Sequence, residues 1–249
     1  MENNGVKTGS GFLEPERIVA GFGLKHGDHV ADFGAGHGYF TLALARAVGR
    51  EGKIWAVDVQ KAALDMVRSR AQHAHLLNIE YMQGDIEVPG GTGISDRFAD
   101  FVFLGSMLFQ AEDQPAVLHE VLRVLLPGGR LAMIEWDVAV PKLQTAVAEP
   151  VPADIVGRGT SETGDMPLNG GQHRERNGNL GSGTRGQGTT GTGSMRSTEG
   201  NLGSGTLGPP TAARVKKQDA KALAAGAGFE LDREFSAGPH HYGLLFKKP

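Results

Sequence analysis

Five short apolar runs in the first half of the chain have the length and composition of buried β-strands. They are four to seven residues long, are rich in Val, Ile and Phe, and are separated by polar stretches. The predicted strands are His29–Phe33, Ile54–Asp58, Ile79–Met82, Phe98–Leu104 and Leu131–Trp136. Strands that are apolar throughout are typical of a parallel sheet that is covered on both faces.

The stretches between these runs have the periodicity of amphipathic helices. Glu14-Pro15-Glu16 opens a short one, because proline suits the first helical turn. In each of the next three predicted helices, four apolar residues share one face. These are Phe40, Leu44, Ala47 and Val48 in the first, Ala63, Met66, Val67 and Ala74 in the second, and Leu118, Val121, Leu122 and Leu125 in the third. Pro127-Gly128-Gly129 ends the third helix. Strands that alternate with helices predict an α/β fold.

The alternation is interrupted by a long polar segment. Residues 157–208 are rich in Gly, Ser, Thr and Asn, and the heptad Gly-Asn-Leu-Gly-Ser-Gly-Thr occurs at 178–184 and again at 200–206. Such a composition buries too little apolar surface to offset its ordering entropy. We therefore expect a folded domain formed by residues 12–137 and 208–249, interrupted by a mostly disordered insertion at 138–207 and preceded by a disordered N-terminus at 1–11.

The second part of the domain is predicted as a helix followed by a hairpin. Ala220, Leu223, Ala224 and Ala227 share a helix face that ends at Gly228. The strands Phe229–Phe235 and His241–Phe246 then flank a Gly-Pro turn.

Composition limits the functions that are open to this chain. The net charge is −3, which argues against a broad surface for nucleic acid. The chain has no cysteine, so it has no disulfides, no thiolate metal ligands and no thiol nucleophile. No apolar run approaches the roughly 20 residues that span a bilayer. We expect a cytoplasmic protein that does not enter a membrane, and its histidines show no metal-ligand spacing.

A glycine-rich loop follows the first strand, in Asp32-Phe33-Gly34-Ala35-Gly36-His37-Gly38. Glycine lets a backbone turn sharply and lets a ligand approach it closely. The spacing G-x-G-x-G differs from the G-x-G-x-x-G of dinucleotide sites. A carboxylate at Asp32 would repel a pyrophosphate and would attract an ammonium group, such as the amino-acid end of S-adenosylmethionine.

Two more acids lie at predicted strand ends. Asp58 follows Gly38 by 20 residues and can accept hydrogen bonds from both ribose hydroxyls. Asp85, after the third strand, can accept from an adenine amino group, with Val59 and Ile86 packing against the ring. Ligands of open α/β sheets bind at the carboxyl ends of the strands, where these acids lie.

The motifs VADFGAGHGYFT, IWAVDVQ, QGDIE, FADFVFLGS and LRVLLPGGRLAMIEW together resemble those of class I S-adenosylmethionine-dependent methyltransferases. The resemblance implies a Rossmann-like seven-stranded sheet of order 3-2-1-4-5-7-6 with strand 7 antiparallel. The residues that it assigns to the cofactor are Asp32, Gly34, Ala35, Gly36, Asp58, Val59, Asp85 and Ile86. It places Gly105 and Ser106 at the position that faces the reacting methyl group.

The motifs are compatible with several classes of methyl acceptor. The chain lacks the Asn/Asp-Pro-Pro-aromatic motif of enzymes that methylate base nitrogens, and the small-molecule enzymes related to ubiquinone and arsenite methylation are most similar. Arsenite itself needs cysteines. An RNA or protein methyltransferase, an NAD-type Rossmann oxidoreductase and a non-catalytic binding module stay as alternatives. No general base is identified, although Glu135 is expected near the crevice, and the oligomeric state is left open.

Overall fold

The computed structural model of the chain describes residues 13–138 and 208–249. The predicted disordered N-terminus and nearly all of the predicted insertion lie outside the described residues. The two described segments together form one seven-stranded sheet with helices on both faces.

The helices and strands follow the predicted order along the chain. The strands are β1 His29–Phe33, β2 Lys53–Asp58, β3 Ile79–Gln83, β4 Ala99–Gly105, β5 Leu125–Trp136, β6 Glu230–Ser236 and β7 His241–Lys247. The helices are α1 Pro15–Ala20, α2 Tyr39–Val48, α3 Lys61–His73, α4 Gln114–Val124 and α5 Lys217–Gly226, with a short 3₁₀ turn at Thr211–Ala213. In the part of the chain that is described, no helix is long and apolar enough to cross a membrane.

The sheet has the order β3-β2-β1-β4-β5-β7-β6, which confirms the fold that the resemblance implies. The first five strands pair in parallel, and β7 inserts antiparallel between β5 and β6. The direction of the strand order reverses at β1, because β2 and β3 lie on one side of it and β4 lies on the other. Open α/β sheets bind ligands at such a reversal.

Two apolar cores pack against opposite faces of the sheet, because successive side chains of a strand point to opposite faces. On β1, Val30 lies in the core beneath α1, α2 and α3, whereas Ala31 and Phe33 lie in the core beneath α4 and α5. On β5, Ile134 belongs to the first core and Met133 to the second.

Two details of the helix predictions were wrong. Leu125 is the first residue of β5 and has an extended conformation, with ψ of 140°. Pro127 disfavours a helical conformation at Leu126, the residue before it. The helix therefore ends at Val124, and the strand continues through Pro127. On α3 the buried face is Leu64, Val67 and Ala71, while Met66 is 40% exposed. The true face keeps strict i, i+3, i+7 spacing.

We expect the buried strand β7 to be the part of the hairpin on which stability depends. Leu245 is 1% exposed and lies between β5 and β6. Leu245→Ala should lower the free energy of unfolding by about 2–5 kcal/mol, because it leaves a cavity. Leu231→Ala is the matched control, since Leu231 lies on the edge strand and is 45% exposed, and it should cost less than about 1 kcal/mol. Urea unfolding measures both, and equal losses would contradict this account.

Candidate active site

A cavity of about 1000 Å³ opens at the carboxyl ends of β1, β2, β4 and β5. This volume is at the upper end of the range of small-molecule sites, about 300–1,000 Å³. Side chains from α1, α2 and the start of β7 complete its walls. The cavity is therefore large enough for two small molecules side by side.

The glycine loop forms the floor of the cavity below β1. Gly34, Gly36 and Gly38 all have positive φ, at 75°, 50° and 79°, a region that side chains disfavour. The amides of Gly34 and Ala35 both donate to the Val57 carbonyl, at 2.8 and 3.0 Å, which turns the chain sharply. A Cβ on Gly34 would lie 2.2 Å from the Met107 sulfur. The loop thus needs glycine both for its conformation and for its contact with the chain after β4.

The carboxylate of Asp58 is fixed at the end of β2. One oxygen accepts from the Gly36 amide at 2.9 Å, and the other accepts from the Gln60 amide at 2.8 Å. An ionised carboxylate has about four acceptor positions, so each oxygen keeps one lone pair for a ligand. Two oxygens held in this way suit a pair of neighbouring hydroxyl groups.

Asp32 is the least solvated acid of the cavity. Its side chain lies on β1, is 2% exposed, and accepts a hydrogen bond from the Thr41 hydroxyl at 2.5 Å. Burial raises the pKa of Asp32 to about 7; the Thr41 hydrogen bond opposes this rise, and the nearby charge of Asp58 adds to it. No Lys or Arg is among the described residues that line the cavity. A cationic ligand group would stabilise this carboxylate most.

The other half of the cavity is apolar and aromatic. Phe40, Ile134 and Trp136 line it, and the Trp136 ring packs on His241 with centroids 4.1 Å apart. Burial, together with the nearby charges of His240 and Arg214, lowers the pKa of His241 to about 4. His241 is therefore neutral near pH 7. This half of the cavity suits an uncharged ligand with a flat face.

Most of the predicted site residues come together around this cavity. Its lining includes Asp32, Gly34, Ala35, Gly36, Asp58, Val59, Gly105 and Ser106. Asp85 and Ile86 are not part of the lining. Asp85 is exposed and accepts from the Glu87 amide at 2.9 Å, and Ile86 is buried in the core beneath α4 and α5. Their contact with adenine stays a prediction.

Glu135 does not face the cavity, contrary to expectation. Its neighbours Ile134 and Trp136 line the cavity, and the alternation of the strand turns Glu135 to the opposite face of the sheet. The sequence could place this residue at a strand end, but the face depends on the register of β5.

Sequence reasoning missed the aromatic rim of the cavity. Tyr39 is 63% exposed and lines the opening. The Arg70 guanidinium lies 4.5 Å from its ring centroid and donates to the His37 carbonyl at 2.9 Å. His37 also lines the cavity and is exposed. The signal available in the sequence was an aromatic residue, Tyr39, directly after the glycine loop.

The strand order, the glycine loop after β1 and the carboxylate that follows β2 are those that the resemblance to class I S-adenosylmethionine-dependent methyltransferases implies. Residues 30–129 match the family described as "Methyltransferase domain". The matched domain confirms the predicted class over these residues, and the strand order agrees with it.

The relatives in sequence carry methyltransferase names. The 2-phytyl-1,4-naphtoquinone methyltransferase of Thermosynechococcus vestitus is 34% identical over 115 residues, which is 46% of this chain and 48% of that protein. The ubiquinone/menaquinone biosynthesis C-methyltransferase of Cronobacter sakazakii is 30% identical over 119 residues, which is 47% of this chain and 46% of that protein. The chain therefore spans about half the length of these relatives.

Solved structures share the fold at low sequence identity. An S-adenosylmethionine-dependent methyltransferase from Aquifex aeolicus has a TM-score of 0.62 at 20% identity, covering 95% of this chain and 90% of that one. The [4+2]-cyclase SpnF has a TM-score of 0.58 at 15% identity, covering 94% of this chain and 79% of that one. Likeness at this level concerns the fold alone.

Asp32 should make the stability of the protein depend on pH. Its folded pKa, about 7, is above the ordinary value of 3.8, so the folded state binds more protons between these values. Stability from this group therefore falls as pH rises from about 4 to about 7. Asp32→Asn removes this dependence, so the unfolding free energy of the variant should rise relative to that of the wild type between pH 5 and pH 8, by about 2.5 kcal/mol.

Urea unfolding at several pH values measures this difference, and other titrating groups cancel between the two proteins. Thr41→Val supplies a second arm, because it removes the hydrogen bond that lowers the Asp32 pKa. It should move the titration to higher pH. A wild-type minus Asp32→Asn difference that is flat with pH would count against the buried carboxylate.

Proposed function

We propose that this chain transfers a methyl group from S-adenosylmethionine to an uncharged, planar small-molecule acceptor. The observation that carries the proposal is the division of one cavity at β1. Carboxylates and glycine backbone lie over β1 and β2, and uncharged aromatic side chains lie toward β5 and β7.

The first half of the cavity fits the cofactor. Asp32 would hold the ammonium group, since a buried carboxylate without a Lys or Arg in the same cavity gains most from a cation. Asp58 would accept from the ribose hydroxyls, and the backbone at Gly34 and Gly36 would lie against the methionine part. Val59 supplies an apolar contact for the adenine ring, together with the predicted contacts of Asp85 and Ile86.

The chemistry needs placement more than proton transfer. S-adenosylmethionine supplies a methyl carbon that is already electrophilic because it is bound to a sulfonium. Ser106 and Met107 follow β4 and line the cavity, where they would hold the acceptor in line with that carbon. The methyl group would pass to the acceptor with release of S-adenosylhomocysteine, and the proton displaced from the acceptor would leave to solvent. Phe40 and Trp136 also line the cavity and would limit the access of water to this point.

The acceptor half favours a neutral ring. Its one titratable side chain among the described residues there, His241, is uncharged near pH 7. An acceptor that needs a carboxylate base to become nucleophilic is therefore disfavoured. The quinone-type names of the sequence relatives agree with a flat, uncharged acceptor. We extend that chemistry to this chain as part of the proposal, together with a cytoplasmic location.

The alternatives fit the cavity less well. RNA carries phosphates, and no Lys or Arg is found among the described lining residues. A dinucleotide would bring its pyrophosphate against Asp32. The cyclase that shares this fold nevertheless makes a direct test of the reaction necessary.

Asp58 should contribute directly to cofactor affinity. Asp58→Ala removes both accepting oxygens, and we expect a loss of about 1–3 kcal/mol, or roughly 5- to 150-fold in the dissociation constant. Calorimetry with S-adenosylmethionine measures it. Asp65→Ala is the control, because Asp65 is an exposed acid on α3 that pairs with Lys61 and Arg68. Equal affinities for wild type and Asp58→Ala would contradict the ribose assignment.

Acceptor chemistry can be tested with S-adenosylmethionine that carries a labelled methyl group. The purified protein is incubated with a reduced naphthoquinone, an aromatic carboxylate, an RNA oligonucleotide and a peptide. We expect label to move to the neutral ring alone, because no Lys or Arg among residues 13–138 and 208–249 lines the acceptor half to hold an anion. Transfer to RNA, or cofactor binding with NAD in place of S-adenosylmethionine, would reject the proposal.

A further inference from the structure

Glu135 is a fully buried carboxylate that the proposed reaction does not use directly. It is 0% exposed and lies at the carboxyl end of β5. Its side chain is on the face opposite the cavity, beside its β7 pairing partner Tyr242. Burying an acid so completely is unfavourable unless its hydrogen bonds compensate. An apolar side chain of similar size would be the simpler core residue.

The carboxylate is bonded to the chain segment that follows β4. The Leu108 amide donates to Glu135 Oε1 at 2.8 Å. The other oxygen, Oε2, is buried and has no hydrogen-bond partner within residues 13–138 and 208–249. Burial raises the pKa of Glu135 to about 7, and the amides of Leu108 and Met107 oppose that rise. The acid thus interacts with the backbone of this segment rather than with another side chain.

That segment, Ser106–Leu108, is held in an unusual conformation, and its first two residues line the cavity. Ser106 has a φ of 55°, although it is not glycine, and such a conformation persists only where the surroundings enforce it. Its amide donates to the Ile134 carbonyl at 2.7 Å, and its carbonyl accepts from the Gln110 side chain at 2.7 Å. Met107 packs directly on Gly34 of the glycine loop.

We propose that Glu135 is a positioning residue, which fixes the Ser106–Leu108 segment against Gly34 and so sets the distance between the cofactor half and the acceptor half of the cavity. The inference rests on the proposed function for what the two halves bind. The segment is held from one side by the Glu135 carboxylate and meets the glycine loop on the other. Glu135 itself touches neither ligand.

The first experiment follows the Leu108 and Met107 amides by NMR of the isotope-labelled wild-type protein between pH 5.5 and 8.5. Both resonances should shift with a midpoint near 7, because a charged acceptor polarises an amide more than a neutral one. Glu135→Gln keeps the side-chain length and should abolish the shift. The neighbours on β7 do not mimic it, since burial raises the pKa of Tyr242 well above this range and lowers that of His241 to about 4. Asp32, whose pKa is also about 7, and Asp137, which follows β5, are present in both proteins, so any amide shift that they cause persists in Glu135→Gln.

The second experiment measures the affinities of S-adenosylmethionine and S-adenosylhomocysteine for both proteins by calorimetry. The two ligands differ by the methyl group and by the positive charge that it gives the sulfur, both of which would face the Ser106–Leu108 segment. In Glu135→Gln we expect S-adenosylmethionine to bind about five-fold more weakly and S-adenosylhomocysteine to change less than two-fold. Glu120→Gln is the matched control, because Glu120 is 2% exposed and bonded to Thr92 and Arg123 away from the cavity. Its two affinities should be those of the wild type.

The outcomes separate the inference from the proposed function. Wild-type amides that do not titrate overturn the inference, even if Glu135→Gln fails to fold. Equal effects of Glu135→Gln on both ligands, or none, overturn it as well. If the wild type binds neither ligand, the proposed function fails, and the amide titration still decides whether Glu135 holds the segment.

Discussion

The arrangement of this site depends on a buried carboxylate that has no Lys or Arg beside it among the described lining residues of the cavity. Asp32 is enclosed by the sheet and α2, and its hydrogen bond to Thr41 satisfies it in part. Close to it lies a second acid, Asp58, whose charge adds to the unfavourable energy. A fold gains no stability from this, so the arrangement is best explained by a ligand that brings the missing positive charge. Sites that bind charged ligands commonly sacrifice stability in this way.

Strand order explains why one cavity has two different halves. The ends of β1 and β2 carry acids and glycine, which are the groups proposed to hold the cofactor. Trp136 ends β5 and His241 begins β7, and their rings pack on each other across this antiparallel strand pair. Residues far apart in sequence are thus joined in one wall, and the antiparallel insertion of β7 is what brings the start of the last strand to the cavity.

The sequence predicted the parts of the site that depend on local spacing. The glycine loop, Asp58 and the order of helices and strands follow from patterns within about 30 residues, and all three are found in the structure. Local spacing could not show that Asp85 and Ile86 lie outside the cavity lining, because the path of the chain after β3 depends on Gly90 and Thr92, whose amides donate to the Glu120 carboxylate on α4. The face of Glu135 was missed for a similar reason. A one-residue change of register reverses every side chain of a strand.

Asp32 and Glu135 show how one type of side chain serves two tasks. Both are buried at the carboxyl ends of strands, and burial raises the pKa of each to about 7. Asp32 faces the cavity and has room for a ligand, whereas Glu135 faces the core and binds the amide of Leu108. Gly34, which follows Asp32 in the glycine loop, contacts Met107, which lies in the segment bonded to Glu135. A ligand charge at Asp32 and the backbone bond at Glu135 therefore act on opposite sides of the same junction, where the methyl group would pass.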